Sequence, residues 1–124
     1  MTTTGVSAIS AFVPAKDLEK SKRFYIDLGF RELWSSGDAC GLEIDGYEMI
    51  LQHFYVKDHA ENFMMQLKVK DVALWWERIQ SQGLKVKYQL GTVKPPALQP
   101  WGLMVLYISD PAGVLWHIAE DPKK

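Results

Sequence analysis

One pattern occurs twice in this chain, 54 positions apart, and it limits the fold more than any other feature. Asp17 is followed by Leu18, a mixed polar and apolar segment holding Tyr25, and the stop Leu28-Gly29-Phe30. Asp71 is followed by Val72, Trp75-Trp76 and Ile79, and the stop Gln82-Gly83-Leu84. An aspartate carboxylate accepts the unpaired N–H groups of a helix's first turn. Glycine takes the left-handed conformation needed just past a helix end. Cap and stop are twelve residues apart in both copies, which predicts two copies of one supersecondary unit.

The flanking residues complete that unit. Ser7 to Val13 is small and β-branched and runs into Pro14, as a first strand would. In the helix over 17–28, Leu18, Tyr25 and Leu28 share a stripe, while Glu19, Lys20, Lys22 and Arg23 face water. Phe30 to Trp34 reads as a strand and Ser35 to Asp38 as its turn. Cys40 to Ile44 and Tyr47 to Phe54 form a hairpin around Asp45-Gly46, a pair that supplies the positive φ of a tight turn. The polar run Lys57 to Asn62 links the modules. Phe63 to Val69, the helix from Asp71 to Gln82 and a strand from Leu84 to Tyr88 then repeat the order. Gly91 to Gly102 holds three of the six prolines and is expected to be an irregular insertion, of a kind that is often functional. Leu103 to Ile108 and Val114 to Ala119 are the closing strands, joined through Asp110-Pro111-Ala112-Gly113. The expected fold is α+β: one domain of tandem βαβββ modules, 6–56 and 63–120, whose sheets form a curled mixed sheet around a cleft.

Composition narrows the function classes. Of 124 residues 48% are hydrophobic and 23% charged, enough to bury a core and too apolar for a disordered chain. A formal net charge of −1, with the basic residues scattered, gives no footprint for nucleic acid or an anionic membrane. No apolar run approaches the roughly 20 residues of a spanning helix. Met1 to Gly5 lacks a leader's basic and apolar regions, so a cytoplasmic protein is expected. The single Cys40 excludes an internal disulfide and a cysteine metal cluster.

Certain stretches carry a family resemblance: Phe12-Val13-Pro14 before Asp17-Leu18, Phe24-Tyr25 before Leu28-Gly29-Phe30, and Asp110-Pro111-Ala112-Gly113-Val114-Leu115-Trp116-His117-Ile118. The chain resembles, over about Ile9 to Glu120, the glyoxalase, bleomycin-resistance and extradiol-dioxygenase superfamily, the vicinal oxygen chelate fold. The resemblance is specific for fold and open as to function, because this fold hosts metalloenzymes and binding proteins alike. Metal-dependent relatives place four ligands in the cleft, one on the first and one on the last strand of each module. Carried over, the positions are Ser10, Ile50 or Gln52, Met64 and His117. Only His117 is a strong donor, with Glu48 as a weak second candidate.

The resemblance therefore points to metal-free, cofactor-free binding of a small organic molecule by a homodimer, as in the bleomycin-resistance branch. A near-neutral chain offers little attraction to cationic bleomycin, so an apolar or aromatic ligand is expected instead. The expected cleft residues are Ser10, Phe12, Trp34, Ile50, Gln52, Met64, Gln66, Trp101, Leu115 and His117. The alternatives are a glyoxalase-like lyase or dioxygenase with a degenerate metal site, and an interaction module with a vestigial cleft. Trp75, Trp76 and Trp116 are expected in the core or at an interface, and His53 and His59 at structural or surface positions.

Overall fold

The computed structural model describes residues 4–122; the Lys123-Lys124 tail and most of the Met1 to Gly5 segment lie outside them. The first module runs β1 (Phe12–Ala15), α1 (Leu18–Leu28), β2 (Arg31–Ser35), β3 (Ala39–Ile44) and β4 (Tyr47–His53). A short helix, α2 (Lys57–Glu61), leads to β5 (Met64–Val69), α3 (Val72–Ser81), α4 (Leu84–Lys87), β6 (Val93–Leu98), β7 (Met104–Ser109) and β8 (Leu115–Glu120). The sheets have strand orders β1-β4-β3-β2 and β5-β8-β7-β6, so the two modules share one topology. In each sheet the first and last strands of the module pair in parallel and the remaining pairs are antiparallel. This is the tandem βαβββ arrangement, with the two sheets left separate.

The punctuation read from the sequence operates as expected. The Asp17 carboxylate accepts from Lys20 N, and that of Asp71 from Ala73 N and Leu74 N. Gly29, at φ 132°, turns the chain out of α1 and donates to the carbonyls of Tyr25 and Ile26. Asp45 and Gly46 both have positive φ, closing the β3–β4 hairpin in the geometry that matches strand twist.

Four local expectations are corrected. The first strand is Phe12–Ala15 rather than Ser7 to Val13; Pro14 is accommodated because β1 is an edge strand, where a missing donor is tolerated. The polar link contains a helical turn, α2. Leu84 to Tyr88 is helical, not extended: Leu84 and Tyr88 are buried while Val86 is exposed, a period of four that alternation had mimicked. The proline-rich insertion holds β6. Its register shifts between Lys94 and Ala97, so Pro95 and Pro96 fall at the irregularity of an edge strand, where they forfeit no ladder bond.

One hydrophobic core spans both modules, and it includes Phe24, Tyr25, Leu28 and Phe30 from the first and Leu106, Ile108, Trp116 and Ile118 from the second. Trp116 donates through Nε1 to Tyr25 Oη at 2.9 Å, and Tyr25 donates to Asp110 Oδ2 at 2.5 Å. Asp110 also accepts from the N–H groups of Ala112 and Val114, which binds the β7–β8 turn. A second seam joins the C-terminal end of α1 to the other module's helices. There Asp27 accepts from Lys87 Nζ at 2.8 Å and from Tyr88 Oη, and Arg78 donates to the Leu28 carbonyl at 3.1 Å.

Candidate functional site

Strand side chains alternate, so each sheet presents one face to the helices and one away from them. On β4, Met49 and Leu51 are buried against α1's side, leaving Glu48, Ile50 and Gln52 on the open face. On β8, Trp116 and Ile118 turn inward and Leu115 and His117, half-buried, take the open face, with Ala119 on the same side but buried. Cross-strand pairing then lines up rows. Across the first sheet, Phe12, Ile50, Gly41 and Trp34 are successive neighbours. Across the second, the corresponding row is Gln66, His117, Tyr107 and Lys94. Phe12 and Gln66 are 54 positions apart, so the rows are internal counterparts. One is apolar and aromatic, and every member of the other can make hydrogen bonds.

Trp34 reaches its place through a local irregularity. The β2 register slips between Glu32 and Trp34, which sets Trp34 opposite Gly41. The pyrrole edge of its indole lies over the glycine, in the space a Cβ would occupy. Phe12 and Trp34 remain 57% and 45% exposed, an apolar surface not covered within the chain. In the second row the His117 ring meets Tyr107 edge to face, centroids 4.7 Å apart. His117 Nε2 is shielded from solvent and has no hydrogen-bond partner.

The register makes Ile50, rather than Gln52, the counterpart of His117. Gln52 lies one repeat along, opposite Ala39 and Pro14. Met64 and Leu115 are paired in the row next to His117, with Ser109 beyond. Ser10 precedes β1 outside any strand, and Trp101 sits in the Gln99–Leu103 turn between β6 and β7, so neither stands in a row. Gly41, Tyr107 and Lys94 belong to the rows and were missed. Gly41 reads as an ordinary strand residue, and Lys94 lies where the prolines hid a strand. Trp116 is buried, Trp75 and Trp76 pack partly buried on the core, and His59 is edge to face with Phe54 and Phe63.

The donor set does not fit a catalytic metal. Glu48 faces Glu43 across the β3–β4 pair, and His117 is flanked by Gln66 and Tyr107. Among the described residues no three His, Cys, Asp or Glu side chains gather as a metal site would require. No helix among them is long and apolar enough to cross a membrane.

The sequence pattern of the Glyoxalase/Bleomycin resistance protein/Dioxygenase superfamily matches residues 7–118, and the chain belongs to that superfamily. No functionally curated protein matches it by sequence. Among solved structures it is similar to a bleomycin-binding protein complexed with bleomycin, at 19% identity over 94% of this chain and 100% of that one, TM-score 0.78. It is also similar to an antibiotic-binding protein from Streptomyces, at 22% identity, 97% and 100% coverage and TM-score 0.75. A lactoylglutathione lyase from Agrobacterium tumefaciens shares the fold at 19% identity, 93% and 94% coverage and TM-score 0.68.

Proposed function

We propose that this protein binds a small apolar or aromatic molecule without a metal, and sequesters it as members of the bleomycin-resistance branch do. The observation that carries the reading is the Phe12–Ile50–Trp34 row, with the Trp34 indole seated on Gly41. Aromatic side chains with free faces stack on flat ligands at little conformational cost. Of the hollows lined by both sheets of one chain, the one bordered by Glu48 and Gln66 of the open faces is about 90 Å³. A larger one, about 470 Å³, lies between Ile44, Leu67, Trp75 and Arg78 and includes no residue of the Phe12–Trp34 row. A drug-sized ligand needs roughly 300 Å³ or more. A homodimer in which a second copy supplies the facing wall meets that need, and it also covers Phe12, Trp34 and Met64.

A fluorescence screen of planar aromatic compounds and antibiotics tests this, with Trp34→Phe as control. Binding in the presence of a chelator, with the quenching lost in Trp34→Phe, is the expected result. Metal analysis of untagged protein is its complement. Near-stoichiometric nickel, zinc or iron that disappears in His117→Ala would overturn the binding reading and favour a lyase or dioxygenase.

A further inference from the structure

The open faces of the two sheets differ in charge as well as polarity. That of the second sheet carries Lys68 and Lys94 near opposite edges, with Gln66, His117 and Tyr107 between them, and no acid within it. The acids of that module point elsewhere: Glu120 turns toward α3, where it accepts from Val72 N. Two acids border the face, Glu48 beside Gln66 and Glu61 against Gly113 beyond Ser109 and Leu115. The Tyr107–Lys94 side is therefore the part with cationic and donor groups and no neighbouring carboxylate on the face. In the first sheet the equivalent face carries Glu43 and Glu48 directly opposite each other, with Arg31 bound to Glu43 at 2.9 Å.

From this we infer that the ligand is an aromatic anion, such as an aryl carboxylate, whose charged group lies on the His117–Tyr107–Lys94 side of the second sheet. Its flat apolar part lies on Phe12, Ile50 and Trp34. The inference rests on the reading that both open faces wall the ligand cleft, and it adds the ligand's charge. Tyr107 Oη and an imidazole N–H can donate to a carboxylate, and Lys94 supplies a charge-assisted bond, shorter and stronger than a neutral one. The His117 ring is held in the same row by its edge-to-face contact with Tyr107. Cationic drugs are disfavoured on the same face, because they would approach two lysines and displace water from donors that cannot serve them.

Calorimetric titration with three probes of one shape is the test: 2-naphthoate, 2-naphthylmethanol and 2-naphthylmethylammonium, at low and moderate salt. Expected is naphthoate binding about tenfold or more tightly than the alcohol, with the ammonium weakest. In Lys94→Met and in Tyr107→Phe the naphthoate is expected to lose more affinity than the alcohol, so that its advantage over the alcohol shrinks. Lys94 is exposed on an edge strand, so its replacement leaves the core intact. Equal binding of naphthoate and alcohol, or preference for the ammonium, would overturn the anion and leave the cleft reading standing. A naphthoate preference that survives both variants undiminished would overturn the assignment to this row. If none of the three binds, the cleft reading fails and the anion fails with it.

Discussion

A methyl group at position 41 would overlap the Trp34 pyrrole ring, so Gly41→Ala is expected to push the indole off the first sheet. The strain should cost about 1 kcal/mol in unfolding measurements, at the low end for overpacking because the ring is half-exposed. Ligand affinity should fall about tenfold, one lost stacking contact's worth by affinity arithmetic. Adding Trp34→Ala should recover the stability and leave the binding defective; recovery of both would show that Trp34 is not part of the site. Asp110 makes a different single-residue prediction. Burial pushes its carboxyl up from the ordinary 3.8 to about 6, against the lowering effect of the bonds from Tyr25, Val114 and Ala112. Because the folded value lies above the unfolded one, the folded state holds the proton more tightly between them. Its contribution to stability is therefore full below about pH 4 and is lost as pH rises through 6, by roughly 3 kcal/mol. The difference in unfolding free energy between wild type and Asp110→Asn should decline across that window, and a flat difference would show that the carboxyl stays ionised throughout. Tyr25, desolvated and beside that carboxyl, has its own hydroxyl pushed well above the ordinary range and stays a donor.

At the scale of elements, the caps and turns were legible because their chemistry is local. Asp71 holds the first turn of α3, and Glu120 adds a second acceptor from β8 to Val72 N. Asp71→Ala should lower stability by about 1 kcal/mol, and Asp71→Asn by much less, since asparagine caps as well as aspartate. Equal losses in the two variants, read by urea denaturation, would show that the charge rather than the cap matters. The elements that misled are those where neighbours decide. Leu84, Val86 and Tyr88 alternate in sequence as a strand would, yet the core takes Leu84 and Tyr88 and leaves Val86 outside. Pro95 and Pro96 break regular pairing in isolation. On the edge beside β7 their missing donors fall at the register shift, and a strand survives around them.

At the scale of the molecule, the modules are tied through Tyr25–Asp110, Asp27–Lys87 and a common core. Burial tends to raise the Asp27 carboxyl, but the bonds from Lys87 and Tyr88 outweigh it and hold the group below its usual value. With a shared core neither module has a complete interior of its own, so we propose that they unfold together. Fluorescence, dominated by the tryptophans, and far-ultraviolet dichroism should then give coincident denaturation curves. Separated midpoints would show two independent units. The exposed Phe12, Trp34 and Met64 lead to a companion expectation: light scattering at increasing concentration should show a dimer, and Phe12→Ser should weaken it. A monomer at all concentrations would require the ligand cleft to form within one chain.

The sequence by itself determined the repeated unit, its helix caps, its hairpin and the superfamily, because each of these depends on residues close together in the chain or on the spacing of a repeat. It also offered Phe12, Ile50, Trp34, Gln66 and His117 as candidates, Ile50 and His117 through the positions the family resemblance carries over and Gln66 through alternation along its strand. Only the tertiary structure decided which candidates are neighbours. The register slips in β2 and β6 set Trp34 on Gly41 and Lys94 beside Tyr107. Register is a property of paired strands, and the residues that set it lie on different strands. That is the physical reason one row is apolar and its counterpart polar, a contrast no single stretch of this chain displays.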